Sequence, residues 1–586
     1  MPPRIFGARV GQGAPGRRVQ AVSMWPRHRR RPWLLILGVV AFLLALPFLL
    51  AGALVVLVPP AVAPDQYVEA VAGEPPLLNP VLAPYTLAGQ DVLPLVFAAL
   101  VRTDAAGNVQ LDLAEQLDVA EDGRAYVVRL RDGLRWDDGE PLTAEDVAFT
   151  VRLIQSPGHQ GSQELADLWR GVEVEVADPR TVRFRLPTPL ASFPEHLSLG
   201  LLPRHALDGV VASALPLHPF NRQPVGSGPY RVASFEPERL LLERNPSYHG
   251  ARPALGHVEL RVYGDRNAAL QAVIRREVDG LAGLRPAEIE QVAASGEYVV
   301  YALPERSKTA AVIFNLETPI LREAAVRKAL ARALDREVLI RDALAGFGEP
   351  ATGPVPVQSW AYVRPPAGAE HDPAAAAALL DEAGWSVAGD GVRQREGTPL
   401  QLALVTADTP DRLAVANALV QQAKVVGIRL DVRAVPADEL FDDHLQPRQF
   451  EAALVGQWSM GSDPDVYPQW HSSQTGRSGG NFAGYTDADV DRWLEVGRQE
   501  PDRELRRNAY LHFQARWVEE QPAVMLYHPI FTFAVSRDVW GVAADPLPDS
   551  SWRLRSAVGW HRVARPTAWQ EARDVITSRA SRWLGL

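Results

Sequence analysis

Between Trp458 and Tyr485 the chain gathers side chains suited to holding a ligand. Trp458, Asp463, Asp465, Tyr467, Trp470, Asn481, Phe482 and Tyr485 fall in one short stretch. Rings supply apolar walls and carboxylates fix a donor or a cation, which is the chemistry of recognition rather than of bond breaking. Ser459-Met460-Gly461-Ser462, a short polar loop with a glycine, follows Trp458 at once. The candidate ligand-binding residues are Trp458, Ser459, Met460, Asp463, Asp465, Asn481 and Tyr485. The competing expectation is that most of these rings fill a core.

Other constellations point away from catalysis and metal binding. Asp487-Ala488-Asp489-Val490-Asp491 begins like a calcium loop, but Arg492 and Arg498 stand where that loop needs its glycine and its bidentate acid. A helix start capped by Thr486 or Asp487 is expected there instead. His371, His471, His528 and His561 are scattered, and neither HExxH nor GxSxG occurs. Pro224-Val225-Gly226-Ser227-Gly228-Pro229-Tyr230 lacks the lysine of a phosphate cradle and leads into a strand pattern, so its glycines are expected to permit a sharp crossing between lobes. No enzyme activity, metal or cofactor is expected. A hydrolase assembled from distant residues is the rival that mutually close nucleophile and base side chains would reveal.

The elements that position these residues change character along the chain. Tyr126 to Leu130, Val172 to Val176 and Thr181 to Leu186 alternate apolar and polar residues, the pattern of half-buried strands. Thr143-Ala144-Glu145-Asp146 has the spacing of a capped helix start. From Pro319 a long helix is expected through Leu344, on the spacing of Leu321, Ala325, Leu330, Leu334, Val338 and Leu344. Strand and helix patterns then alternate over 399–405, 410–426, 428–435, 437–444 and 450–455, as in an α/β lobe. A last long helix is expected from Asp502 to Glu520.

At the amino end, Trp33 to Val58 is one apolar run directly after Arg27, Arg29, Arg30 and Arg31. As a helix it would reach roughly 39 Å, more than a hydrocarbon core of about 30 Å. The expectation is a cytoplasmic basic tail over 1–32 and a single-pass transmembrane anchor over 33–58, with the body beyond it extracytoplasmic in the cell membrane. The rival is an export signal cleaved after Ala63, which would leave the body secreted or periplasmic. The chain has no cysteine, which excludes both a disulfide framework and a lipid-modified amino terminus. Eight of its 60 basic residues precede Asp65, leaving 52 against 70 acidic residues beyond it. That surface repels nucleic acid. A short amphipathic helix is expected over 566–586.

The order of several stretches resembles the extracytoplasmic solute-binding proteins of ABC importers, in the large peptide/nickel-type class known as family 5. They are LLNPVL at Leu77, LVRTDAAGNVQLDLAEQ from Leu100, YVVRLRDGLRWDDGEPLTAEDVAFT from Tyr126, PVGSGPY at Pro224, LLERNPSYHG from Leu241, FNLETP from Phe314 and VRKALARALDREVLI from Val326. SDPDVYPQWHSS from Ser462, GGNFAGYTDADVD from Gly479 and EEQPAVMLYH from Glu519 complete the series. The WxDGxPLTAxDVxFT pattern is the most specific of them.

The resemblance implies a two-lobed α/β fold of the type II periplasmic-binding-protein kind with an extra β-rich domain. Lobe one would comprise 65–97, 216–314 and 526–565, the β-rich domain 98–215, and lobe two 315–525. It also implies capture of an oligopeptide or similar small solute by lobe closure and delivery to an ABC permease, with a separate ATPase reached through that permease. Peptide-binding members place an aspartate for the peptide's ammonium group at a position similar to that of Met460, where methionine offers no charge, so that role is vacant unless Asp463 or Asp465 fills it by a loop shift. A nickel chelate or an oligosaccharide is thereby left open, as is a membrane-tethered ligand-sensing receptor.

Overall fold

The segment Lys308–Phe314 shows how the sequence builds the centre of the body. In the computed structural model, which describes residues 65–82, 87–104, 108–364, 370–459, 463–477, 479–543 and 552–563, Ala310, Val312 and Phe314 feed one hydrophobic cluster and Ala311 and Ile313 another. A strand that is apolar on both faces must lie inside a sheet covered on both sides.

That sheet has twelve strands among the described residues. They are β1 (Gln66–Ala72), β2 (Tyr230–Glu236), β3 (Arg239–Arg244), β4 (His257–Tyr263), β5 (Gly280–Ala282), β6 (Tyr298–Pro304), β7 (Lys308–Phe314), β8 (Gly348–Pro350), β9 (Gln401–Ala407), β10 (Arg429–Val435), β11 (Ala452–Ser459) and β12 (Ala523–Ser536). Their spatial order is β10-β9-β11-β7-β12-β5-β1-β4-β3-β2, with β6 and β8 also paired to β12.

Strand β12 serves both halves. Its first part, Ala523 to Tyr527, pairs with β7, and its second, Ile530 to Ser536, pairs with β6. Only Glu305, Arg306 and Ser307 separate β6 from β7. The chain thus crosses twice, side by side, between two lobes. Pro304 and Pro529 mark the crossings, and neither can donate to a ladder. Both nonetheless keep a place in the register, Pro304 opposite Ile530 and Pro529 opposite Gly348, so the sheet runs on through the crossing.

The expected β-rich block is a separate antiparallel sheet of four strands, in the order 114–119, 125–130, 181–185, 173–178. Tyr126, Val128, Leu130, Val182 and Phe184 are its buried face, as the alternation requires. The helix Ala144–Gln155 lies beside it, and its start is held by the Thr143 N–H donating to Asp146 Oδ2 at 2.8 Å. In the second lobe, helix Pro410–Val425 joins β9 to β10, and helix Arg503–Glu520 begins at the Asp502 cap.

The long helix expected from Pro319 is broken. It becomes a 3-10 turn, Pro319–Arg322, then helices Ala324–Ala333 and Arg336–Ala343. Asp335 makes the break by accepting from the Val338 N–H at 2.9 Å, so an acid within the apolar pattern starts a new helix.

The membrane-anchored topology is corrected. No helix among the described residues is long and apolar enough to cross a membrane. The run 33–58, with the tails 1–32 and 566–586, lies outside the described residues. The length of an apolar run measures composition, which an export signal shares, so it does not make a transmembrane helix part of this fold.

The stretch Pro224 to Tyr230 also departs from expectation. It leads from the β-rich region back into β2, not from lobe to lobe. Its glycines serve close backbone contact: the Gly228 N–H donates to Val96 O at 2.8 Å, and a Cβ there would stand 2.5 Å from Leu95 O. Gly228→Ala is expected to lose about 1–3 kcal/mol of stability in urea unfolding, the usual cost of overpacking. A loss under about 0.5 kcal/mol would show that this approach is dispensable.

Candidate ligand-binding cleft

The hinge is cross-braced. Arg306 clamps Glu349 of β8 with two hydrogen bonds of 2.7 Å, and Glu305 N–H donates to Pro529 O at 2.9 Å. His528 Nδ1 lies 2.9 Å from Lys308 O, which makes the Nδ1–H tautomer the donor. Burial pulls the His528 imidazole below its ordinary range, so it is neutral near pH 7. The Lys308 ammonium donates to Glu305 Oε1 at 3.0 Å.

Beside this hinge a cavity of about 660 Å³ opens. Leu93, Phe97, Leu199 and Val558 give it apolar walls, and Arg102, Lys308, Arg555 and Asp112 are the charged residues lining it. Arg102 lies on the strand Val101–Thr103 and Arg555 at the end of helix Trp552–Arg555, so the cavity draws on segments far apart in sequence. Asp112 is engaged by His249 Nε2 at 2.9 Å.

Strand register sets two of the seven sequence candidates next to β7. Ser459 pairs with Lys308 and Trp458 with Thr309. Met460 lies outside the described residues. The other four sit in the packed body of the second lobe. Asp463 is buried and receives Arg506 Nη2 at 2.5 Å, while Arg506 Nε donates to Gly497 O at 2.7 Å. Asp465 accepts the Tyr467 N–H and stands 3.7 Å from Arg498 Nε, with burial pushing its carboxyl up against the pull of that guanidinium. Asn481 is fully buried and clamps a turn, donating to His471 O and Tyr485 O and accepting the Tyr485 N–H. Tyr485 packs with Trp470 and Trp517.

Sequence reasoning missed Arg102, Lys308 and Arg555. One signal was present for Lys308: the chain holds only three lysines among its 60 basic residues, and one of them stands where the strands cross.

The residues 108–479 match the model of the family described as bacterial extracellular solute-binding proteins, family 5 Middle. The chain belongs to family 5 of the extracellular solute-binding proteins. The oligopeptide-binding protein AppA of Bacillus subtilis is 29% identical over 487 residues, covering 81% of this chain and 88% of AppA. Protein XP55 of Streptomyces lividans is 31% identical over 478 residues, 80% of this chain and 84% of its own length. The solved structure of the Bacillus subtilis AppA in complex with a nonapeptide superposes with a TM-score of 0.66 at 27% identity, covering 85% of this chain and 99% of that one.

A family 5 protein is a binding protein and not an enzyme. This one is the solute-binding component of an ABC importer, taking an oligopeptide-like or similar organic solute to a permease served by an ATPase. The single-pass location in the cell membrane gives way to the extracytoplasmic location of this family.

The β-rich region also touches the second lobe. Ala191 N–H donates to Arg498 O at 2.7 Å, and His196, on the same segment, is held down to about pKa 4 by burial and by Arg498. A folded pKa below the unfolded value of about 6.5 gives stability that is complete above pH 6.5 and lost as pH falls toward 4. Asp137, pushed up to about 6 by burial, acts oppositely in the same window. The parent is therefore compared with His196→Asn, in which the acid-side loss between pH 6.5 and 4 is expected to shrink. Superimposable pH profiles of unfolding free energy would exclude His196 as its source.

Proposed function

We propose that the protein captures an oligopeptide or a similar solute in the cavity beside the hinge, by closing lobe two (315–525) on lobe one (65–97, 216–314 and 526–565), with the 98–215 domain alongside. The observation that carries this reading is the double crossing, β6 to β7 beside the middle of β12, with the cavity against it. Two short extended connections let the lobes rotate while each keeps its own ladder and core. A solute held from both sides stabilises the closed arrangement only by its difference in affinity between the two states. The peptide in AppA supports an oligopeptide as the first class to test.

In this reading Trp458 and Ser459, at the end of β11, approach the solute, and Met460 belongs to the same candidate set. Asp463, Asp465, Asn481 and Tyr485 hold that segment from behind. The test is small-angle scattering of the purified full chain, titrated with peptides of two to nine residues while binding is followed by calorimetry. A smaller radius of gyration that saturates with the binding curve is expected. Binding with an unchanged radius would sink closure, and the absence of any peptide binding would sink the peptide assignment.

A further inference from the structure

The charges around the cavity are unequal. Arg102, Lys308 and Arg555 line it against a single carboxylate, Asp112, which His249 already engages. Among the described residues no acid pairs with Arg102, and the residue is exposed. The Lys308 ammonium has one carboxylate partner, Glu305, and donors to spare, since an ammonium carries three. In the second lobe the two carboxylates that follow β11 in sequence are committed: Asp463 to Arg506, and Asp465 to the neighbourhood of Arg498 and the Tyr467 N–H. The cavity offers Arg102 and the spare donors of Lys308 to a ligand, and its one lining carboxylate is engaged.

We propose that the site selects its solute through a carboxylate, received by Arg102 and Lys308, and sets no requirement for a free amino group. This rests on the solute-binding reading and narrows it to a chemical class, an organic acid with an apolar body that suits Leu93, Phe97, Leu199 and Val558. A charge-assisted hydrogen bond to a carboxylate is among the stronger single contacts available, and in a partly enclosed cavity it outweighs a neutral one. An ammonium brought to the same place would meet like charge with no free carboxylate to offset it. Lys308 also begins β7, and its carbonyl holds His528 of β12, so a carboxylate on its ammonium sits directly at the crossing about which the lobes turn.

The two sources of this chemistry, a peptide's carboxyl end and a non-peptide acid, are separated by the ligands used. Calorimetry of the full chain would compare a set of tetrapeptides as free acids, N-acetyl acids and C-terminal amides, a set of non-peptide aliphatic and aromatic carboxylic acids, and neutral oligosaccharides. The expected result is that N-acetylation changes affinity less than threefold, whereas amidation lowers it at least tenfold. Binding confined to the non-peptide acids would equally support the carboxylate and would name its source. Arg102→Gln and Lys308→Gln are each expected to weaken the preferred acid about tenfold or more, while Arg183→Gln, on the exposed face of the β-rich sheet, leaves it unchanged. Amides that bind as tightly as acids, a strict need for a free amino group, or binding of neutral sugars alone would overturn the carboxylate assignment and leave solute binding standing. Failure of every compound to bind would bring down both.

Discussion

Replacing Arg553 by methionine is expected to lower the unfolding free energy by about 3–5 kcal/mol, the cost of removing one partner from a buried ionic cluster. Arg553 is 2% exposed and stands between Glu69 of β1 and Asp91 of helix Leu87–Val96, themselves almost wholly buried. The Tyr67 hydroxyl donates to the second oxygen of Glu69. One guanidinium therefore serves two carboxylates, and burial already pushes the Glu69 carboxyl up from its ordinary range. Without the cation both acids must either carry charge in a low-dielectric interior or take up protons. Proton uptake by the folded state makes the variant lose stability as pH rises, so its deficit against the parent should be larger at pH 8 than at pH 5. Neutralising the cluster completely, with Glu69→Gln and Asp91→Asn added, should recover part of the loss, because no buried charge is then left unpaired. Chemical unfolding at both pH values checks this. A deficit below about 1 kcal/mol, or one that does not grow with pH, would show that the cluster is not what ties the 552–562 segment to the first strand.

That cluster illustrates what could and could not be read from residue order. Local chemistry was legible: Thr143 with Asp146, Asp487 before Val490 and Asp502 before Leu505 all cap helices where their spacing says they should. Alternation was legible too, in the β-rich sheet and in β7. Asp335 shows the limit of periodicity, since a helical apolar pattern continued across a residue whose carboxylate caps a new helix. The cavity was hidden for another reason. Leu93 and Arg555 come from two helices, Arg102 from a separate two-stranded ladder and Lys308 from the mixed sheet, so only the tertiary fold brings them together. No spacing rule reaches that far. The dense stretch from Trp458 to Tyr485 drew attention because its rings and acids are close in sequence, but much of that density supports buried turns, as the three hydrogen bonds of Asn481 show. Only its first residues, Trp458 and Ser459, pair by register with the start of β7.

The same distinction between lining a cleft and holding its wall sets the expectation for Arg506. Its guanidinium is 7% exposed, bonded to Asp463 and to Gly497 O, and lies 5.0 Å from the centre of the Trp360 ring. Arg506→Met should remove about 3–5 kcal/mol of stability from the second lobe, because Asp463 and Asp465 would then face each other with only Arg498 close by. Asp463→Asn would leave the guanidinium short of its partner and should be destabilising as well, and the pair Arg506→Met with Asp463→Asn should cost less than the sum of the two. Ligand affinity, measured where every variant remains folded, should change less than about threefold. The reason is that the two side chains bond to each other inside the second lobe and are not among the residues lining the cavity. An Asp463→Asn protein that keeps the parent's unfolding free energy but loses binding tenfold or more would reverse this assignment and return Asp463 to the ligand. The two measurements are independent, so each outcome identifies which side of the wall the carboxylate serves.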